Sequence, residues 1–463
     1  MPDTSDRGRV KAVATDDAPP AEHDELPPLA EMGMFFAFRY AGYRWLWLGN
    51  ALSSGAQWIQ QTTMGWVVFD VTGSGAMLGA IIGVGNLASP FVSPLAGLAA
   101  DRIKRSHVVA VSQFLLFVNA LALAMALRTG SVHVWNLFAF AIGASVLNGF
   151  NMPARQSMVF DVVPREVGPN AVALSNIAFN VMRSVGPAIG GALILLFGPS
   201  NNFMVQAVAY LLVIVTVLRI RLPERPAGAA RRQSFMRDMV EGYRWVVGSP
   251  AARILLLMMV IYPLFIIPVH NALMVIFARD IFGAGAAGLG VLLSALGVGG
   301  LIGGLLTAAL NRVDRRGVMQ LYALWACGGF LAVFAVIGGL TGQFWLGVAM
   351  LVLSGIGGSI FNTTNQTVVQ LIAPNHLRGR ITSVLQVQPL CMAAGTLITG
   401  AAADRFGAVA VGTADGLLAL GVGLLVFACS SRMRSLRLSQ LVEASNEEAA
   451  RAVATQQRAP ART

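Results

Sequence analysis

Charge is what this sequence has least of. Only 12% of its 463 residues are Asp, Glu, Lys or Arg, against about 25% in a soluble globular domain. Lysine is nearly missing: arginine outnumbers it 31 to two, a bias that points to a GC-rich bacterial genome. Cysteine is scarce as well. Cys327, Cys391 and Cys429 each lie in or at the end of an apolar run, so no extramembrane pair can form a disulfide and no spacing suggests a metal site. There is no Gly-Lys-Ser/Thr phosphate loop, which excludes an ATP-driven pump. No His, Cys or carboxylate cluster and no nucleophile with a base at usable spacing is present, so an enzyme, a metal centre and a cofactor are not expected. A signal peptide is not expected either. The first 40 residues are polar, Pro-rich and carry Asp and Glu, where an apolar core should follow a short basic start.

What fills the chain instead is apolar sequence, 56% of it, with a mean hydropathy of +0.66. It comes in runs of about 20 residues, the length that spans a bilayer as a helix. Twelve such runs lie near 44–69, 76–100, 107–127, 134–154, 171–196, 203–220, 252–278, 286–310, 317–339, 344–366, 381–402 and 410–429. The expected fold is an all-α membrane protein of twelve transmembrane helices in two pseudo-symmetric six-helix bundles. The expected divisions are a disordered tail at 1–40, bundles at 41–221 and 251–432, a linker at 222–250 and a second tail at 433–463. Within the linker, apolar residues at 235, 236, 239, 240, 243, 246 and 247 follow a helical period, which predicts an amphipathic helix on the membrane surface or a simple tether.

The halves echo each other. Leu98-Ala-Ala-Asp101-Arg102-Ile-Lys104-Arg105 returns 210 residues later as Ala308-Ala-Leu-Asn311-Arg312-Val-Asp314-Arg315, and the same offset joins Gln156 and Pro164 to Gln366 and Pro374. Paired halves are how alternating-access transporters build a central site that opens to either side.

The formal charge of +11 is distributed by side rather than by surface patch. With the N-terminus inside, three of the 33 Lys and Arg lie outside (Arg128, Arg279 and Arg405), Arg183 lies within a span and 29 lie inside. That asymmetry predicts cytoplasmic termini, and the lack of a basic stripe interleaved with aromatics excludes nucleic acid as a partner. The outside turns are short, as in Thr72-Gly-Ser-Gly75, Gly198-Pro-Ser200 and Leu340-Thr-Gly342, so consecutive helices must be antiparallel neighbours. Small residues four apart, such as Gly79/Gly83, Gly299/Gly303 and Gly300/Gly304, allow helix backbones to touch. In Gly186-Pro187-Ala-Ile-Gly190-Gly191 the proline also removes a backbone donor, which suits a helix that rocks.

These phrases carry a resemblance. Gly97-Leu-Ala-Ala-Asp101-Arg102-Ile-Lys104-Arg105 is similar to the signature loop of the major facilitator superfamily, and Gly186-Pro187-Ala-Ile-Gly190-Gly191 resembles the antiporter motif of its drug exporters. Met182 and Ala173 stand where that motif usually has further glycines. Trp66-Val-Val-Phe-Asp70-Val-Thr-Gly-Ser, Pro153-Ala-Arg155-Gln156-Ser, Phe277-Ala-Arg279-Asp280-Ile-Phe-Gly and Leu377-Arg-Gly-Arg380 resemble the enterobactin-exporter and macrolide-efflux branch, over about 38–430. The resemblance implies proton-coupled export of a small organic molecule, a siderophore or drug-like compound, by a monomer in the bacterial inner membrane. It also implies a gate in which Asp101, with Arg102, meets the start of helix 11 near Arg380, with Arg105 and Arg155 as neighbouring cations. A turn-and-anchor loop is the plainer alternative. Asn311 replaces the carboxylate in the second half, so a matching latch there would be weaker.

Polar residues inside spans are costly and usually functional. No Asp or Glu lies near a span midpoint. The candidates for a substrate pathway are Gln57, Gln61, Asn151, Asn180, Arg183, His270, Asn271, Asn362 and Gln366. Arg183, about 18 Å along helix 5, either holds an anionic cargo or braces the opposite half. His270 titrates nearest neutral pH and is either a proton carrier or a histidine satisfied by its neighbours. The expected partners are therefore a small-molecule substrate, protons and the lipid bilayer. Uptake of a small solute, and a non-transporting sensor or scaffold, are the alternatives.

Overall fold

The structure, a computed structural model, describes residues 33–220, 244, 250–310, 313–372 and 387–440, with backbone alone at 89–90, 93–102, 250–251 and 432. It is helical throughout. The first four helices are α1 (Ala41–Thr72), α2 (Gly75–Arg102), α3 (Arg105–Arg128) and α4 (Val134–Val162). The stretch Gly168–Leu218 is two helices, α5 at 168–197 and α6 at 199–218, because Gly198 adopts φ 79°, ψ 165° between them and Pro199 has no N–H with which to continue the ladder. Then follow α7 (Ala252–Ile281), α8 (Gly285–Ala309), α9 (Arg316–Thr341), α10 (Phe344–Ile372), α11 (Val387–Phe406), α12 (Ala408–Cys429) and the short α13 (Ser431–Ser435).

Eight helical stretches among the described residues, with Gly168–Leu218 taken as one, are long and apolar enough to cross a membrane. Helix α1 falls outside that set because it carries buried Ser53, Ser54, Thr62 and Thr63 beside Gln57, Gln60 and Gln61. Helices α4 and α10 run on past their apolar runs, to Val162 and Ile372, since Met158, Val159 and Val368 still bury against neighbours. The amphipathic stretch expected in 222–250 lies outside the described residues except for Arg244 and Pro250.

Apolar side chains face outward as well as inward. Val111, Phe114, Leu115 and Val118 on α3, Leu211, Leu212 and Val215 on α6, and Leu417, Leu418 and Leu425 on α12 are all exposed. In water such a belt would aggregate; in lipid it is the ordinary surface of a bundle.

The two ends of the bundle differ. At the end remote from the chain termini, here the distal face, six turns join odd helices to even ones, and all seven positive-φ glycines among the described residues sit there. The opposite, terminal face carries ordered chain segments that the sequence assigns to the tails. Residues 33–40 are ordered: Phe36–Arg39 forms a 3-10 turn, the Ala37 N–H donates to Asn170 Oδ1 at 3.1 Å, and Phe38 packs edge-on to Trp47 at 5.1 Å. Residues 433–440 are ordered too. The Leu438 N–H donates to the Asp314 carbonyl and the Ser439 N–H to its carboxylate, both at 2.8 Å. The Ser439 bond holds the Asp314 carboxyl below its usual range. Apolar burial at Ala37 and Met433 explains why ordered structure starts before residue 40 and runs on past residue 433.

Helices α1–α6 pack among themselves, chiefly α1 on the Gly168–Leu218 pair and α2 on α4; α7–α12 do likewise, chiefly α9 on α10 and α12, and α10 on α8. The α9–α12 contact is backbone on backbone. A Cβ added at Gly416 would lie 2.7 Å from both the Gly328 carbonyl oxygen and the Ala332 nitrogen. Gly416→Val is therefore expected to lower stability by about 1–3 kcal/mol through overpacking, seen as a drop in the thermal unfolding midpoint of the purified protein.

Candidate substrate cavity and gates

Two seams join the halves, α2 on α11 and α5 on α8, and small residues make both. On the first, Gly75 and Gly79 meet Gly400 and Thr396, and Gly83 meets Ala393. On the second, a Cβ added at Gly290 would lie 2.6 Å from the Pro187 carbonyl oxygen, and Gly191 lies against Gly290. These closest approaches lie toward the distal face, so that side of the interface is shut.

Proline and glycine cooperate at the seams. Pro187 leaves the Arg183 carbonyl without its helical donor, and Gly297 of α8 comes up to that oxygen, where an added Cβ would sit at 2.8 Å. Within the second half, Pro268 does the same to the Leu264 carbonyl, which Gly395 of α11 approaches. The Ala188 N–H, one residue past Pro187, donates to Ser294 Oγ across the seam at 2.9 Å. Helix α5 stays helical through Pro187, its one non-helical residue being Gly198. Around Pro187 the facing helix thus packs a glycine against the exposed carbonyl and accepts the next N–H through Ser294.

Polar bonds lock the distal face. The Asp404 carboxylate, at the end of α11, accepts from Ser74 Oγ at 2.6 Å and from the Gly75 and Ala76 N–H groups at 2.6 and 3.0 Å. It thus caps the α2 N-terminus, where a negative charge is favoured. Arg279 reaches Asp70 at 3.1 Å, and Gln61 Nε2 donates to Asn271 Oδ1 at 3.0 Å. Gln61 and Asn271 are 210 residues apart, so the repeat brings equivalent positions together on its axis. Asp404 has no such counterpart: Ile194 stands 210 residues before it.

Between the halves lies the ring of candidate side chains. Gln57 and Gln61 are exposed on one face of α1, Arg183 and Asn180 are half-buried on α5, and His270 and Asn271 on α7. Helix α7 reaches the site through π-helical turns at Tyr262–Ile266, Val269–Leu273 and Phe277–Ile281, which re-aim side chains where function needs them. The Arg183 guanidinium stands 5.7 Å over the Trp58 ring and comes near the Tyr262 hydroxyl of the other half. It therefore lies between the halves. Asn180 Nδ2 donates to the Asn176 carbonyl at 2.9 Å. Asn362 and Gln366, 3.4 Å apart, follow Gly358, which meets the Tyr262 hydroxyl, by one and two turns of α10.

The remaining candidates sit elsewhere. Asn151 is wholly buried inside the first half, so it does not line the cavity. Arg155, 7% exposed, donates through Nε to Asn50 Oδ1 of α1 at 2.8 Å and is an internal tie of that half. Arg105 pairs with Asp161 of α4 at 2.7 Å. The side chains of Asp101 and Arg102, and residues 373–386 that would face them, lie outside the described residues. Gly186 seats Trp58, whose Cβ an added methyl would meet at 2.7 Å. The sequence reading missed Trp58, Tyr262 and Phe361, because an aromatic in an apolar run carries no signal of its own. It also missed Asp404, an acid at a turn until Ser74 and Gly75 are brought to it.

Two half-bundles facing each other across glycine seams, with a polar cleft between, define a secondary-transporter fold. The solved nucleoside transporter NupG superposes with a TM-score of 0.67 at 13% identity, covering 84% of this chain and 98% of that one. The chain belongs to the transmembrane secretion effector family of the major facilitator superfamily, which it matches over residues 32–459. It is 28% identical to the multidrug efflux pump Tap of Mycolicibacterium fortuitum, over 84% of this chain and 96% of that protein. It is 24% identical to the enterobactin exporter EntS of Shigella flexneri, over 74% and 80%. It is thus a multi-pass membrane transporter and not an enzyme.

Asp404→Asn keeps the shape of the cap but loses its charge. The distal face of that variant is expected to open more often, read as faster labelling of a cysteine introduced at the exposed Gln57 position by an impermeant thiol reagent added from the distal side. Labelling at the wild-type rate would show that Asp404 does not hold the seam.

Proposed function

We propose that this chain exports a small organic molecule, siderophore or drug-like, in exchange for protons by alternating access. On this reading it is a monomer in the bacterial inner membrane, with bundles at 41–221 and 251–432 joined by 222–250 and twelve crossings. The observation that carries it is the ring of polar side chains around Arg183 between the halves, closed distally by the seams. Interfaces of glycine and backbone separate at little cost, because lipid supplies no hydrophobic attraction to hold them. Asp404 then latches the distal side in this state, and Asp101 the terminal side in the other. The efflux function of the relatives named above favours export over uptake, which the same geometry would otherwise serve.

Two groups are placed to carry the proton: His270, on a π turn beside the cleft, and Asp415, a buried carboxylate that accepts from Thr399 Oγ1 at 2.8 Å. Proteoliposomes tested with a catecholate siderophore and a macrolide should accumulate one of them when an inward or outward pH gradient is imposed, and lose that accumulation with an uncoupler. Accumulation equal with and without the gradient would remove proton coupling. His270→Gln and Asp415→Asn assign the carrier, since the correct one abolishes gradient-driven accumulation while sparing downhill exchange.

The Lys and Arg distribution supports cytoplasmic termini. Reporter fusions at Thr72, Ser200 and Gly342 are expected to read external, and fusions at Gly228 and after Thr463 internal. The reverse pattern would invert every loop.

A further inference from the structure

Each half offers the cleft an aromatic wall. From the first, Trp58 of α1 meets Phe179 of α5 edge-on, centroids 5.8 Å apart. From the second, Tyr262 of α7 stacks on Phe361 of α10 at 5.8 Å with 26° between the planes. Glycines seat both: Gly186 behind Trp58, and Gly358 against Tyr262, where an added Cβ would lie 2.8 Å from the hydroxyl. Neither wall can retreat into its own bundle. Such fixed, amphipathic rings give contact area at small entropic cost.

Between the walls stands a cation. Arg183 lies over Trp58, within the range at which a guanidinium is held by a ring face, and with the Tyr262 hydroxyl near it most of its N–H donors remain for another acceptor. The other titratable groups close by are Tyr262, His270 and Cys327; none is an acid of carboxylate strength. Among the acids with described side chains, Asp70, Asp280 and Asp404 lie at the distal ends of their helices, Asp415 is bonded to Thr399, Asp161 is paired with Arg105 at the terminal end, and Glu166 and Asp314 lie in connections on the terminal face. Two further polar atoms of the site, Trp58 Nε1 and His270 Nε2, are buried without a hydrogen-bond partner. Buried polar groups are nearly always satisfied, so a donor such as the indole N–H, left open beside an available guanidinium, marks a place for an acceptor.

We propose that the cleft binds planar aromatic anions, aryl carboxylates or phenolates, with the ring between the Trp58 and Tyr262 walls and the anionic oxygen on Arg183 and the Trp58 N–H. This rests on the transporter reading above and narrows its cargo. A carboxylate takes two parallel bonds from the arginine fork, beside the Tyr262 hydroxyl. The bound anion thereby touches both halves. A ring-bearing cation meets Arg183 and has no acid to answer it.

Isothermal titration of the full chain in lipid nanodiscs tests this with four probes: 2-naphthoate, cyclohexanecarboxylate, 2-naphthylmethanol and 2-naphthylmethylammonium. 2-Naphthoate is expected to bind about 10-fold or more tighter than each of the others, the factor that about 1.4 kcal/mol provides. Arg183→Gln should erase the advantage over 2-naphthylmethanol while leaving the neutral ring's own affinity within about twofold. Trp58→Leu should weaken both ring probes, and Arg183→Lys should keep part of the preference for the anion. The ranking in the unaltered protein decides the matter even where a variant folds poorly: equal or tighter binding of the ammonium probe, or of cyclohexanecarboxylate, overturns the proposal. Its failure is separable from that of the broader reading. Gradient-driven export without a preference for aryl anions removes this inference alone, whereas the preference without gradient-driven transport removes proton exchange and leaves the site.

Discussion

Backbone contact between the two halves is the constraint on which everything else in this protein depends. Two helix bundles immersed in lipid gain nothing from burying more apolar surface against each other. What remains is close approach, and close approach needs glycine. Gly75, Gly79 and Gly400 on one seam, and Gly191, Gly290 and Gly297 on the other, each stand where a side chain would strike a neighbouring backbone. The prolines fit the same scheme. Pro187 and Pro268 free the carbonyls of Arg183 and Leu264, and a glycine comes up to each: Gly297 from the facing bundle, and Gly395 from within the second bundle. The kink-prone helices and the smooth helices are thus one arrangement seen from two sides.

The functional side chains follow from that arrangement. Arg183 comes near Tyr262 because its own backbone lies against Gly297 of the second half. Trp58 can stand between Gln57 and Gln61 on the cleft face of α1 only because Gly186 leaves room behind it. On α7 the π turns place Tyr262, His270 and Arg279 at three levels of the same cleft. Arg279 meets Asp70 at the distal rim, so residues that look like a family signature in sequence are also a contact in space.

The membrane class, the helices and the pseudo-repeat were legible in the sequence because they rest on long-range statistics: apolar runs of one length, turns with glycine, and an offset of 210 residues. The repeat even foreshadows the Gln61–Asn271 bond, since equivalent positions must face each other near the axis. What was not legible depends on which side of a helix a residue takes. Asn151 and Arg155 lie one turn apart in a polar phrase, yet both turn into the first bundle, where Arg155 finds Asn50. Polarity alone cannot tell a cavity wall from an internal tie. The ordered ends at 33–40 and 433–440 escaped notice for the converse reason: a few buried contacts, Ala37 and Met433 among them, hold segments whose composition is that of a tail.

The asymmetry between Asp404 and Ile194 sets the two seams under different physical control. The α2–α11 seam ends in a carboxylate exposed to water, bonded to a helix end, so ionic strength and acidity on the distal side act on it directly. The α5–α8 seam has the Ser294 bond and backbone contact, with no ion pair across it among the described residues. A single molecule thereby carries one seam that responds to the solution on the distal side and another that rests on close packing alone, and the ease with which it opens depends on both.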